Sequence, residues 1–285
     1  MPKNRTRARL LWSATLLLLL TACGVSADPP AGPTTHLIDH DGRRLAFHVT
    51  PGRSPAIVLD AGGGEDSSYW KDLAPRLASA TGSEIVTYDR AGLGDSDDAP
   101  GPWDPRRAAG DLTAGLRELG VTRDAILVAH SQAGEVATYA TLAHPGLVAG
   151  AVLVDANLPQ FFTDGQITRL VTLGKPQVDA AKADPSTKAN RQLAATAESF
   201  VPVHRAFHRV SWPDGVPATV VVSEKTPFDG SPQDVRAWHD AAAAFARAGT
   251  GRVLVTAAGS SHDVPVDRPG LVLGEIEKLR ARVER

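Results

Sequence analysis

The sequence predicts an α/β fold: a mostly parallel sheet flanked by helices on both faces. Three observations point there. Short apolar runs recur along the chain, most of them are followed by segments of helical periodicity, and several open directly into glycine-rich or chemically active loops. Parallel strands are covered on both faces, so they read as nearly continuous Val/Ile/Leu/Ala runs rather than as alternating ones.

Taken in order, residues 36–39 and 44–49 flank Asp41-Gly42, a two-residue hairpin signal. The runs 56–60 and 84–88 lead into Gly62-Gly63-Gly64 and into Asp89-Arg90-Ala91-Gly92-Leu93-Gly94-Asp95-Ser96. Residues 104–119 read as a helix ended by Gly120. The run Ala125-Ile126-Leu127-Val128-Ala129-His130 reads as a buried strand, followed by Ser131 on a sharp turn and an Ala-rich helix. Strands are expected again at 150–155, 218–222 and 253–256, with helices at 233–248 and 267–283. Between Asp155 and Pro217 no strand is legible; 166–173 and 189–200 look helical, and Phe161, Phe162, Phe200 and Phe207 are scattered through the stretch.

Composition narrows the function. The 285 residues are 42% hydrophobic and 22% charged, ordinary for a globular chain with a sizeable core, and the length suits one large domain bearing an insertion or two small ones. A formal charge of −2 without a long basic run argues against nucleic acid as a partner. No H-E-x-x-H and no Cys/His cluster suggests a metal. The glycine loop at 62–64 lacks the G-K-[ST] ending and is not G-x-G-x-x-G, so no nucleotide cofactor is expected, and no other cofactor is implied.

Four stretches in order carry a family resemblance: Leu59-Asp60-Ala61-Gly62-Gly63-Gly64-Glu65-Asp66-Ser67-Ser68-Tyr69-Trp70, Tyr88-Asp89-Arg90-Ala91-Gly92-Leu93-Gly94-Asp95-Ser96, the serine turn, and Ser260-Ser261-His262-Asp263. Together they resemble an α/β-hydrolase of the capped, single-domain, esterase-like type over most of residues 37–283. The resemblance implies that the unmatched segment, about 156–216, is a helical cap inserted after strand 6. It also implies that Ser131 is the nucleophile, although the usual G-x-S-x-G reads Ala129-His130-Ser131-Gln132-Ala133 here. His262 follows the last strand, where this fold presents its base; His36, His48, His204, His208 and His239 lack such a position, and His130 is expected to point into the fold. The acid commonly follows the strand that here ends in Ser223, but Ser223-Glu224-Lys225-Thr226 has no Asp. Asp155, ending the preceding strand, is therefore the expected acid, with Asp229 and Glu224 as alternatives. Two backbone N–H groups would hold the oxyanion: Gln132, and Gly64 with Gly63 as alternative. A serine rather than an aspartate at the turn argues against the haloalkane dehalogenase and epoxide hydrolase relatives. The implied activity is hydrolysis of small-molecule carboxylic esters through an acyl-enzyme. A proline-iminopeptidase-like amide hydrolase and a non-catalytic ligand-binding protein on the same scaffold are the alternatives. Acyl and alcohol specificity and oligomeric state stay open.

Residues 1–22 read as a leader: Lys3, Arg5, Arg7 and Arg9 precede the apolar stretch 10–20. Leu20-Thr21-Ala22-Cys23 resembles the lipobox of bacterial lipoproteins, which implies acylation of Cys23, the single cysteine, and a place on the outer face of the cytoplasmic membrane. An ordinary secretory signal or an uncleaved anchor is the alternative. Residues 23–35, proline-rich and small, would be a tether, leaving 36–285 as the hydrolase domain. Loss of the four leader cations would take the formal charge from −2 to −6.

Overall fold

Residues alternate between the two faces of a strand, and in this chain both faces are apolar, so a single sheet organises two cores. The computed structural model describes residues 32–99, 101–228 and 230–285; the expected leader, Cys23, residues 24–31 of the tether and Asp229 lie outside the described residues. The strands are β1 (Thr34–His40), β2 (Arg43–Thr50), β3 (Arg53–Asp60), β4 (Ser83–Tyr88), β5 (Ala125–His130), β6 (Val148–Val154), β7 (Ala218–Ser223) and β8 (Arg252–Ala257). They lie side by side in the order β1-β2-β4-β3-β5-β6-β7-β8. β1–β2 and β2–β4 pair antiparallel and the other neighbours pair parallel, which is the architecture the resemblance implies.

The helices are α1 (Ala74–Thr81), α2 (Pro105–Glu118), α3 (Ala133–Ala143), α4 (Asp164–Ala183), α5 (Lys188–Phe207), α6 (Pro232–Arg247), α7 (Val264–Asp267) and α8 (Pro269–Val283). Ile57, Leu59, Ile126 and Val128 bury against Leu77 of α1 and Ile276 and Leu279 of α8. The intervening residues Val58, Leu127 and Ala129 face the other way, against Leu112 and Leu116 of α2, Val136 of α3 and Trp238 and Phe245 of α6. Each fully buried large apolar side chain contributes about 1.5–3 kcal/mol.

Three departures from the expected elements have local causes. α1 has no counterpart in the sequence reading: it is short, begins at a proline step, and commits only Leu77 and Thr81 to the interior before Gly82 ends it at φ +62°. α4 and α5 run well past the expected 166–173 and 189–200, through Pro176 and Pro202. A proline interrupts one backbone bond but does not end a helix whose flanks are packed. Thr163 and Thr187 start these two helices, accepting the N–H groups of Gln166 and Asn190. The expected helix at 267–283 is split at Arg268 into α7 and α8, the second opening on Pro269.

Candidate active site

The carboxyl ends of the neighbouring strands β5, β6 and β7 meet above the sheet, where ligands bind in open parallel sheets. β5 ends at His130. Ser131 follows with φ +54°, a left-handed backbone that costs a non-glycine residue about 1–2 kcal/mol. The Ser131 carbonyl accepts the N–H groups of Gly134 (3.0 Å) and Asn157 (2.8 Å), which holds the turn and turns the hydroxyl outward. Ala129 and Ala133 are fully buried and fit within the core. The close approach falls instead on Gly134, where a Cβ would stand 2.4 Å from the Asn157 carbonyl oxygen. The glycine that this elbow requires is one position further along than the motif suggests.

β6 delivers Asp155, also left-handed at φ +42° and 1% exposed. Its carboxylate collects four donors. Oδ1 accepts the Ser223 N–H (2.9 Å) and the Trp238 indole N–H (2.8 Å), and Oδ2 accepts the Ser223 hydroxyl (2.7 Å). The fourth is His262 Nδ1 at 2.7 Å. A proton on Nδ1 leaves Nε2 as the acceptor, and Nε2 lies 2.9 Å from Ser131 Oγ. The loop after β8 thus crosses above β7 to bring together three residues far apart in the chain. The end of β7, where the resemblance commonly places the acid, supplies Ser223 as a donor instead. Glu224 is turned away, its Oε2 accepting the Gly259 N–H at 2.6 Å.

His130 is 1% exposed, as expected, yet it takes part in the site. Its Nε2 lies 3.1 Å from the His262 carbonyl oxygen, and its ring stacks between Tyr69 (4.8 Å) and His262 (4.7 Å, tilted). Burial pushes the Tyr69 phenol well above its ordinary range.

The glycine loop passes over the nucleophile: a Cβ on Gly62 would stand 3.3 Å from Ser131 Cβ, and one on Gly63 3.8 Å from Gln132 Cβ. Arg90 holds this loop, its guanidinium bonding the Asp60 carboxylate and the carbonyl oxygens of Ala61 and Gly62. The sequence reading assigned Arg90 no role; its signal is an arginine directly after β4 in the Tyr88-Asp89-Arg90 run. Gln132 opens α3, so its N–H is one of the first-turn amides that lack a partner within the helix. The N–H of Gly64, the expected second oxyanion donor, is instead bonded to Oε1 of Gln192 from α5. Gly63 is the exposed member of the loop.

Above Ser131 opens a cleft of about 350 Å³, walled on one side by α5. The set can do nucleophilic chemistry: a hydroxyl, a base oriented by a buried carboxylate, and backbone amides beside it.

A model described as the alpha/beta hydrolase family matches residues 57–275. A probable esterase of Oryza sativa subsp. japonica is 34% identical over 122 residues, 41% of this chain and 43% of that protein. The chain spans less than half the length of the curated relatives it matches. Among solved structures, the thermophilic esterase from Thermogutta terrifontis superposes with TM-score 0.60 at 18% identity, covering 90% of this chain and 100% of that one. Cfl2 from Burkholderia cenocepacia superposes with TM-score 0.64 at 22% identity, covering 88% and 97%. At these identities the likeness is one of fold.

Proposed function

The chain belongs to the alpha/beta hydrolase family, and from that premise we propose that this enzyme cleaves carboxylic esters of small molecules through a Ser131-His262-Asp155 triad. The reading is carried by one observation: the hydrogen-bonded chain runs from Ser131 Oγ, which lines the cleft, through the His262 ring to Asp155. Ser131 Oγ attacks the acyl carbonyl while its proton passes to His262 Nε2. The N–H groups of Gln132 and Gly63 hold the oxyanion; Gly64, engaged by Gln192, serves in the alternative arrangement. The C–O bond to the alcohol breaks, the alkoxide leaves with the proton from Nε2, and water repeats the sequence to release the acid. Asp155 keeps Nδ1 protonated and balances the imidazolium.

Fluorophosphonate labelling and p-nitrophenyl ester turnover test this. Both should vanish in Ser131→Ala while its circular dichroism stays that of the parent, and turnover retained in that variant would sink the assignment. The described lining of the cleft offers no carboxylate to anchor a substrate amine, so esters are favoured over aminoacyl amides. For location, the leader's sequence supports acylation of Cys23 and attachment to the outer face of the cytoplasmic membrane. The parent chain should then incorporate labelled palmitate, and a Cys23→Ala chain should not.

A further inference from the structure

The glycine loop over Ser131 is held by the amides on both sides of Gly63, and the two holds come from different parts of the molecule. On the strand side, the Gly62 N–H donates to Glu65 Oε2 at 3.1 Å, and Arg90 grips the carbonyl oxygens of Ala61 and Gly62. Those partners belong to the loop itself and to the end of β4. On the far side, the Gly64 N–H donates to Gln192 Oε1, which stands on α5. Between them, the Gly63 N–H has no hydrogen-bond partner among the described residues. One amide is therefore left free, and it belongs to the residue that faces the cleft beside Ser131 and Gln132.

α5 comes down closely on this end of the loop. A Cβ on Gly64 would stand 3.6 Å from that of Ala189, one helical turn before Gln192. Gln192 is itself a fixed point, buried and bracketed by two ties of the helix. One turn earlier, Lys188 Nζ reaches the carbonyl oxygens of Gly94 and Ser96 at 2.7 and 2.8 Å. About one turn later, the Ala195 carbonyl accepts the Trp103 N–H at 3.1 Å. The position of α5 is thus passed to the loop through a single side-chain oxygen. Positions matter here: removing one oxyanion donor costs about 10²–10³ in kcat, and a displacement of about 1 Å can cost about 10².

Building on the ester-hydrolase reading, we propose that Gln192 is a positioning residue for oxyanion stabilisation. By taking the Gly64 N–H, it sets the loop so that the Gly63 N–H stands free beside that of Gln132. Gln192 touches no reacting atom and acts only through the loop. The oxyanion site is then a joint product: the start of α3 supplies one amide, and α5 holds in place the loop that supplies the other.

The test uses the full-length chain with Gln192→Met, which keeps the length of the side chain but loses the acceptor, and Gln192→Ala as a second variant. On p-nitrophenyl butyrate, kcat should fall at least about ten-fold in both while KM moves less than about three-fold, the pattern of an interaction made in the transition state. Trifluoroacetophenone reads the oxyanion directly. Ser131 Oγ adds to its carbonyl, the hydroxyl proton passes to His262 Nε2, and the hemiketal oxyanion rests on the same amides. Its inhibition constant should rise by the factor that kcat falls. A role confined to packing α5 would raise KM and lower the melting temperature instead, and that pattern, or kcat and the ketone's constant both unchanged, overturns the proposal. Amide hydrogen exchange at Gly64 needs no turnover. It should be faster in Gln192→Met and stay slow in Gln192→Glu, which keeps an accepting oxygen; exchange unchanged in the methionine variant also overturns the proposal. If the parent neither cleaves the ester nor binds the ketone, it is the hydrolase reading that fails, and the exchange rates still decide whether Gln192 holds the loop.

Discussion

Asp155 has more donors than a carboxylate needs merely to be solvated. Three of them come from Ser223 and Trp238, residues with no chemistry of their own, and they fix the carboxylate so that its remaining lone pair meets His262 Nδ1. Asp155→Asn keeps the shape but offers an N–H where Nδ1 also carries one, so the ring is driven to the wrong tautomer. We expect kcat to fall about 10⁴-fold with the melting temperature little changed. Steady-state kinetics and thermal denaturation on one preparation decide it; a loss of under ten-fold would return the acid's role to Glu224 or Asp229. At this scale the candidates Ser131 and Asp155 were legible because each directly follows a recognisable strand, and His262 because it lies in the loop after the last one. Gln192 and Arg90 were not: their contacts are with backbone atoms of the glycine loop, and no spacing in the sequence reports a partner 128 or 28 residues away.

Elements meet at two joints that can be broken separately. At the first, α3 passes so near the chain after β6 that Gly134 has no room for a methyl. Gly134→Ala should cost about 1–3 kcal/mol and slow fluorophosphonate labelling, since the strain falls on the turn that presents Ser131. Unchanged denaturant midpoint and labelling rate would show that the backbone yields freely there.

The second joint is Asp89, which accepts the N–H groups of Ser67 and Asp95 (2.8 Å each) and faces His48 Nε2 at 3.3 Å, tying β2 to the loops after β3 and β4. Burial pushes this carboxyl up, but His48 and the N–H groups of Asp95 and Ser67 outweigh burial and hold it at about 2. Reciprocally, the bond to Asp89 raises His48 above 6.5 in spite of burial. A depressed carboxyl stabilises the fold above its unfolded value near 3.8 and ceases to as pH falls towards 2. A raised imidazole stabilises it below 6.5 and ceases to as pH rises through its higher folded value. The stability deficit of Asp89→Asn should therefore peak between pH 3.8 and 6.5 and shrink on both sides. Urea midpoints across that range are the check, and a deficit flat with pH contradicts the pairing. Element identity was readable from periodicity throughout the sheet. Element length was not in α4 and α5, because Pro176 and Pro202 look like stops until the packing that carries the helices past them is known.

On the scale of the molecule, the cap is fastened at several independent places. Trp103 N–H donates to the Ala195 carbonyl and the Ser199 hydroxyl to the Trp103 carbonyl, seating α5 on the segment before α2. Lys188 Nζ reaches the carbonyl oxygens of Gly94 and Ser96. α4 is held to α6 by Gln166 and Arg169, both at 2.7 Å from the Asp234 carboxylate. The Arg169 hydrogen bond leads the partners that hold that carboxyl well below the usual range, against the opposing push of burial. Asp234→Asn should free α4 first: trypsin should cut at Arg169 or Lys182 faster than in the parent, while the sheet and its helices resist. Equal cleavage rates would mean that the other ties suffice. The places of the strands along the chain could be anticipated because several motifs mark strand ends. The seating of the cap could not, since it depends on side chains meeting main-chain oxygens across long stretches of sequence.

Trp238 has a consequence beyond holding Asp155. Its indole lies edge-on to the His262 ring, 6.4 Å between centroids, whereas the chain has only four other tryptophans. A charged imidazole so near an indole quenches its light emission more than a neutral one. Protonation of His262 should therefore dim the emission of the parent protein, and that response should be absent after Trp238→Phe.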